Sequence, residues 1–257
     1  MTVILYETAS SSKTMAERIE RKFYLAPQKV GFAYGLLRQV CCQDSEFPSE
    51  RINSLYFDTA DLEQHNDSLA GNLVKNKVRI RWYGEDDKRG VNETVFIELK
   101  SRRGFSSTKQ RLKLEVPSEN LRLPQLAHGI IPRSLLMDTL ARFGYFPPPL
   151  VPIIKISYWR YRFREIISGQ RIALDTIIRS TMFMPGENGE RDLELPGGVI
   201  EIKGRSIELP YSLKQLGILD IDWSRFSKYS SCIDAHREVA GSVGRLSPSG
   251  RIIRIQG

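Results

Sequence analysis

The chain has 257 residues, 41% of them hydrophobic, so it can bury a substantial core and is not disordered throughout. A net charge of +8 and a pI near 9.4 point to an anionic partner: nucleic acid, a phosphate compound or an acidic membrane face. The three cysteines, Cys41, Cys42 and Cys232, are odd in number and contain no CxxC spacing, which argues against a disulfide framework or a thiolate metal site and for a reducing, cytoplasmic setting.

Residues 1–16 are polar and Ser-rich at "ASSSK", and are expected to form a flexible arm. They do not read as a signal peptide, because the apolar run is short and acids arrive early. One domain is expected over 17–241, followed by a basic tail over 242–257. Within it a strand is expected over 18–25, and Pro27 opens a helix over 28–42 with Val30, Ala33, Tyr34, Leu37 and Val40 at helical spacing. "RINSLYFDT" (51–59) reads as a strand, and "DLEQHNDSLAGN" as a short helix or loop ending at Gly71. Three strands follow, over 74–83, 94–102 and 109–116, the last stopped by Pro117. A helix is expected over 132–144, then an extended "FPPPLVP" connection. Strands are expected over 152–165, 170–183 and 197–204, and helices over 210–218 and 223–241. No window approaches the ~18 apolar residues of a membrane span. Peripheral attachment to an acidic membrane, or a membrane-protein partner, stays open. Seven or eight strands with short connections imply an antiparallel α+β domain rather than a doubly wound sheet.

Several strands share one pattern. In "KNKVRIRWYG" (75–84), Val78, Ile80 and Trp82 alternate with Lys75, Lys77, Arg79 and Arg81. In "TVFIELKSR", Val95, Ile97 and Leu99 alternate with Glu98, Lys100 and Arg102. In "TKQRLKLEV", Leu112, Leu114 and Val116 alternate with Lys109, Arg111, Lys113 and Glu115. Trp159, Tyr161 and Phe163 alternate with Arg160, Arg162 and Arg164. Arg171 and Asp175 share a face, as do Glu201, Lys203 and Arg205.

One such strand decides nothing. Same-face neighbours lie roughly 6.6 Å apart. Like charges at that distance repel by ~0.6 kcal/mol in water and ~2.5 kcal/mol at an effective dielectric near 20. A solvated charged stripe is therefore cheap. Six mainly basic faces are harder to read as plain surface, which mixes signs and neutral polar residues. The alternative is a closed antiparallel barrel with a basic lumen and its apolar side outward, under helices. Such a lumen needs water and a bound polyanion, and triphosphate or a longer phosphate chain meets that need. A nucleic acid duplex would not fit inside it, so no nucleic acid is expected. A carboxylate beside phosphates needs a bridging cation, and Mg²⁺ or Mn²⁺ takes carboxylate and phosphate oxygens. Glu201 in "VIEIK" suits that role, with a structural ion pair as the competing reading. His65, His128 and His236 sit in no triad-like context and are read as structural or surface residues.

The ordered blocks "ERKFYLAP", "INSLYFDT", "KVRIRWYG", "VFIELKSRRG", "YWRYRF", "RIALDT", "VIEIKGR" and "RFSKYSS" resemble the catalytic domain of the vacuolar transporter chaperone (VTC) polyphosphate polymerases. The resemblance spans about 18–240. It implies membership of the triphosphate tunnel metalloenzymes, whose fold is a closed eight-stranded antiparallel β-barrel with surrounding helices. By that resemblance Lys22, two after Glu20, matches the first-strand signature, and Arg79 and Arg81 match the paired triphosphate-gripping arginines. Lys100, Lys109, Tyr158, Arg160, Arg171, Lys203 and Lys228 match further phosphate contacts, and Glu201 the metal ligand. Lys77, Arg111 and Arg162 join from periodicity, and Glu98 as an acid on the same face. The implied activity is metal-dependent transfer of the ATP γ-phosphate to polyphosphate. Hydrolysis of tripolyphosphate or nucleoside triphosphate, or polyphosphate binding without catalysis, are the alternatives. Eukaryotic members carry an SPX domain and membrane helices, and neither pattern occurs in this sequence.

Overall fold

A computed structural model describes residues 4–5, 19–84, 91–104, 106–183, 191–204, 208–219, 223–224, 226–239 and 253–254. The expected arm and tail lie outside the described residues, apart from 4–5 and 253–254. The elements in chain order are β1 (Ile4–Leu5), β2 (Ile19–Leu25), α1 (Pro27–Val40), β3 (Cys41–Gln43), β4 (Ser49–Asp58), α2 (Glu63–Leu69), β5 (Val74–Tyr83), β6 (Asn92–Arg103) and β7 (Ser106–Pro117). Then come a 3₁₀ turn (Ser118–Leu121), α3 (Leu123–Leu126), α4 (Arg133–Arg142), β8 (Val151–Glu165), β9 (Arg171–Met182), β10 (Arg191–Gly204), a second 3₁₀ segment (Tyr211–Leu219), β11 (Trp223–Ser224), α5 (Lys228–Val239) and β12 (Ile253–Arg254). The α+β class holds, and each ladder whose register is described is antiparallel.

The expected closed eight-stranded barrel is corrected. Twelve strands pair in the order β1-β7-β6-β5-β4-β8-β9-β10-β2-β11, with β12 on β10 and β3 on β8. Among the described residues no ladder joins the two ends, so the sheet is not closed into a barrel. Each end instead carries a two-residue strand, β1 on β7 and β11 on β2. Among the described residues, no helix is long and apolar enough to cross a membrane.

The chain divides into two compact units. The first comprises residues 1–12, 52–156 and 180–191. Its core is the apolar side of β4–β7, with Leu55, Phe57, Val78, Ile80, Trp82, Ile97 and Leu114 fully or almost fully buried. Leu136 and Leu140 of α4 and Leu126 of α3 cover it. The even positions of "KNKVRIRWYG" therefore face a helix-covered core, as their period requires. Asp58 ends β4 and starts α2: its carboxylate accepts from the backbone N–H groups of Thr59, Gln64 and His65, replacing the bonds that the first helical turn lacks.

The second unit comprises residues 13–51, 157–179 and 192–257. Pro27 occupies the first turn of α1, and Ala33, Leu36 and Leu37 of that helix pack with Phe23, Leu25, Phe163, Ile172, Leu174, Ile200 and Ile202. The helix stops at Val40, short of the expected Cys42, because Cys41 turns extended and pairs with Glu165 of β8. The expected helix over 223–241 is also shorter: Trp223 and Ser224 pair with Phe23 and Lys22, and α5 begins only at Lys228.

Candidate functional site

In the first unit, strand register sets the charged face rung by rung. Tyr56, Arg79, Glu98 and Arg111 lie in one row across β4–β7. Ser54, Arg81, Phe96 and Lys113 form the row on one side, and Lys77, Lys100 and Lys109 the row on the other. Residues two apart share a face, so all three rows look the same way. Three neighbouring strands thus present seven cations and one acid.

Glu98 holds this array together. Its carboxylate is 1% exposed and accepts from Arg79 Nε at 2.8 Å and Arg79 Nη2 at 2.7 Å. Lys109 Nζ approaches the other oxygen at 2.6 Å and Arg111 Nε at 3.3 Å. Burial alone would push the Glu98 carboxyl up, but Arg79, Arg81 and Lys109 outweigh it and hold it well below the carboxylate range. Burial pushes the Lys109 ammonium down to about 8; Glu98 opposes this, while Arg79 and Arg81 add to it.

Hydroxyls fix the arginine planes. Arg79 Nη1 donates to Tyr56 Oη at 3.0 Å, Arg81 Nε to Ser54 Oγ at 3.2 Å, and Arg111 Nη2 to Tyr83 Oη at 3.0 Å. The Arg111 guanidinium also lies 3.6 Å from the Phe96 ring centroid. These supports were missed in the sequence, although Ser54 and Tyr56 alternate in "INSLYFDT" as the face requires. Lys75 sits one row beyond the three lysines, with its Nζ 3.4 Å from the Ser68 carbonyl oxygen, at the edge of the array.

The second unit builds a separate cluster around two carboxylates. Asp175, fully buried, accepts two bonds from Arg160 at 2.6 and 2.8 Å, and Lys228 Nζ at 2.5 Å. Glu201 accepts from Arg160 at 3.3 Å and Lys203 at 2.5 Å. Lys22 pairs across the ladder with Glu201, and Glu20 with Lys203; Lys22 and Glu20 also form an ion pair at 3.3 Å. Burial would raise both buried carboxyls, yet Arg160, with Lys228 at Asp175 and Lys203 at Glu201, keeps both below the carboxylate range. Tyr158 lies beneath this group, its ring centroid 5.4 Å from the Arg160 guanidinium and 4.7 Å from Lys228 Nζ.

Six of the expected residues thus meet here: Glu20, Lys22, Arg160, Glu201, Lys203 and Lys228, over Tyr158. Arg162 does not join them. It pairs with Glu50 at 2.7 Å and donates to the Phe47 carbonyl at 3.2 Å. Arg171 is exposed and stands four residues along β9 from Asp175, roughly 13 Å at strand rise. Asp175, the hub of the cluster, was not singled out as a site residue. Its signal was present: an acid on an otherwise basic face, inside "RIALDT".

Among the described residues no three His, Cys, Asp or Glu side chains converge on a point. The donors fit a hard divalent ion held by one or two carboxylates and completed by water and phosphate oxygens, rather than an all-protein cage. Glu201 suits that arrangement, because the Lys203 that occupies one of its oxygens is 42% exposed and can swing away.

The VTC domain family model matches residues 17–236. The chain belongs to the VTC domain family. No curated protein matches the sequence. Among solved structures, a provisionally assigned adenylate cyclase from Bacillus halodurans is similar at 17% identity, TM-score 0.46, over 82% of this chain and 95% of its own. A second, from Vibrio parahaemolyticus, is similar at 10% identity, TM-score 0.41, over 88% of this chain and 98% of its own.

Proposed function

We propose that this VTC-domain chain is a metal-dependent phosphotransferase that adds the γ-phosphoryl group of ATP to a polyphosphate chain. A terminal phosphate oxygen of the acceptor forms the new P–O bond, and the bond to ADP breaks. That oxygen is already anionic, so no general base is required. Phosphoryl transfer depends chiefly on positioning and charge neutralisation, which an array of fixed cations supplies.

The observation that carries this reading is the row of Arg79, Glu98 and Arg111 flanked by Arg81 and Lys113 on one side and Lys77, Lys100 and Lys109 on the other. A buried counter-ion keeps the arginines aligned, and the outer lysines add their charge to the same face. Glu201, with Asp175 nearby through the shared Arg160, would hold Mn²⁺ or Mg²⁺. When bound, that ion neutralises charge on phosphate oxygens. Lys203 would then turn from Glu201 toward substrate, beside Lys22, while Arg160 and Lys228 stay on Asp175.

The test is incubation of the purified chain with ATP and Mn²⁺ or Mg²⁺, followed by gel separation of polyphosphate. A ladder that grows with time is expected, with ADP released in step. Orthophosphate release without chain growth would reassign the protein as a hydrolase. Binding without turnover under either metal would make it a binding module.

A further inference from the structure

A cavity of about 130 Å³ opens in the second unit, lined by Arg51, Ser157, Tyr158, Trp159, Ile177 and Arg179. Except for Tyr158, none of these residues belongs to either cationic cluster. Three of the lining side chains bear donors that no described residue engages: the Arg51 guanidinium, the Ser157 hydroxyl and the Trp159 indole N–H. Arg179 is different. Its Nε donates to Glu194 at 2.9 Å, which fixes the guanidinium and offsets its charge. The uncompensated charge therefore rests on Arg51. Ser157 is buried as a residue, yet its Oγ is not a sealed atom, so the hydroxyl can donate to a ligand or to water.

A second observation concerns the backbone. Ile177 has φ +51°, in the left-handed region that a β-branched residue avoids. Strain of this kind is held by its surroundings and gathers at ligand clamps. Here it falls in the wall of the cavity, in the middle of β9, where regular alternation would otherwise continue.

We propose that this cavity is a binding site for a small oxyanion of the orthophosphate class, distinct from the phosphoryl-transfer site. The lining offers donors from a guanidinium, a hydroxyl and an indole, and none of the six lining residues is acidic. Its volume lies below the ~300 Å³ at which pockets for larger ligands begin. At ~30 Å³ per water it has room for about four waters, enough for one oxyanion with its residual hydration and too little for a nucleotide. Tyr158 is shared with the Arg160–Asp175 cluster, so occupancy of the cavity bears on a residue beneath that cluster.

The test follows the ¹⁵N-labelled Trp159 indole resonance, assigned by its loss in Trp159→Phe, while orthophosphate is added to the full chain. Saturable movement is expected in wild type and in Arg79→Ala, which alters only the first unit's array. In Arg51→Ala the midpoint should rise about tenfold or more. Ser157→Ala, which removes a single neutral donor, should raise it less and guards against a folding defect at Arg51. Sulfate should compete, whereas ATP should not displace orthophosphate from this resonance. A Trp159 resonance that ignores orthophosphate overturns the proposal. So does one that moves equally in Arg51→Ala, is lost in Arg79→Ala, or responds to ATP in preference to orthophosphate.

Discussion

Glu98→Gln is the perturbation that best separates a structural counter-ion from a dispensable one. It leaves shape and two hydrogen-bonding atoms but removes the charge that Arg79, Lys109 and Arg111 share at 2.6–3.3 Å. Breaking a fully buried pair costs ~3–5 kcal/mol. The three cations here retain 17%, 43% and 39% side-chain exposure, so water recovers part of their solvation. A loss of about 2–3 kcal/mol is expected, which lowers Tm by roughly 4–12 °C at ~2–4 °C per kcal/mol for a chain of this size. The same change should tighten tripolyphosphate binding by about tenfold or more. A unit charge some 4 Å from a phosphate oxygen is worth ~4 kcal/mol at an effective dielectric of 20, part of which Glu98 now withholds from the ligand. Thermal unfolding at pH 7 with and without tripolyphosphate, and isothermal titration of the same ligand, measure both effects. An unchanged Tm together with unchanged affinity would show that Glu98 does not organise the array.

Other perturbations probe the remaining parts. Glu98 has a folded pKa below its unfolded value, so its contribution is full above about pH 4.3 and is lost as pH falls through the folded value. Acid titration should therefore narrow the stability gap between wild type and Glu98→Gln. Lys109, lowered to about 8, binds fewer protons folded than unfolded between about pH 8 and 10.4, so on this group stability rises with pH across that window. Tripolyphosphate binding at pH 9 should accordingly take up a proton, visible as a buffer-dependent binding enthalpy that disappears in Lys109→Arg. Arg79→Ala should abolish measurable tripolyphosphate binding, while Lys75→Ala, at the edge of the array, should change it less than about threefold; equal losses would refute the row assignment. Asp175→Asn, which strands Arg160 and Lys228 around a neutral group, should cost about 3–5 kcal/mol in chemical denaturation. Gly197→Ala should unfold the β10–β2 ladder at that point, since the residue sits at φ +84° and a Cβ would overlap the Leu25 carbonyl oxygen; hydrogen exchange at Val199 and Ile200 reads the loss.

The period-two signal was legible because it is local. Val78, Ile80 and Trp82 announce a buried side whatever strand lies next to them, and Arg79 and Arg81 follow to the opposite face. What the strands pair with is not local. Nothing in "DWSRFSKYSS" distinguishes two residues of strand followed by a helix from one longer helix; only the Phe23 and Lys22 partners of Trp223 and Ser224 decide it. Pro196-Gly197-Gly198 reads as a break, so the expected strand began at 197, yet β10 runs through it from Arg191 because glycine accepts the positive φ inside the strand. Closure failed for the same reason. Alternation fixes which face each residue occupies and carries no information on whether the first and last strands meet.

The two acids on basic faces looked alike in the sequence, and their surroundings separate their roles. Glu98 has both oxygens taken by three cations on strands of one rigid ladder, and Arg79 reaches it through two nitrogens. A metal at Glu98 would have to displace Arg79 and Lys109 together and be enclosed by their charges. Glu201 is held by looser partners. Its Oε2 faces Arg160 at 3.3 Å, a loose contact because Arg160 is committed to Asp175, and its Oε1 faces a lysine that solvent already reaches. Metal titration should therefore distinguish them. In Glu201→Gln, Mn²⁺-dependent phosphoryl transfer should be lost while tripolyphosphate still binds. In Glu98→Gln, Mn²⁺ affinity measured by electron paramagnetic resonance should persist within about threefold despite the lower Tm. The reverse outcome, Mn²⁺ affinity lost with Glu98 and kept without Glu201, would exchange the two assignments.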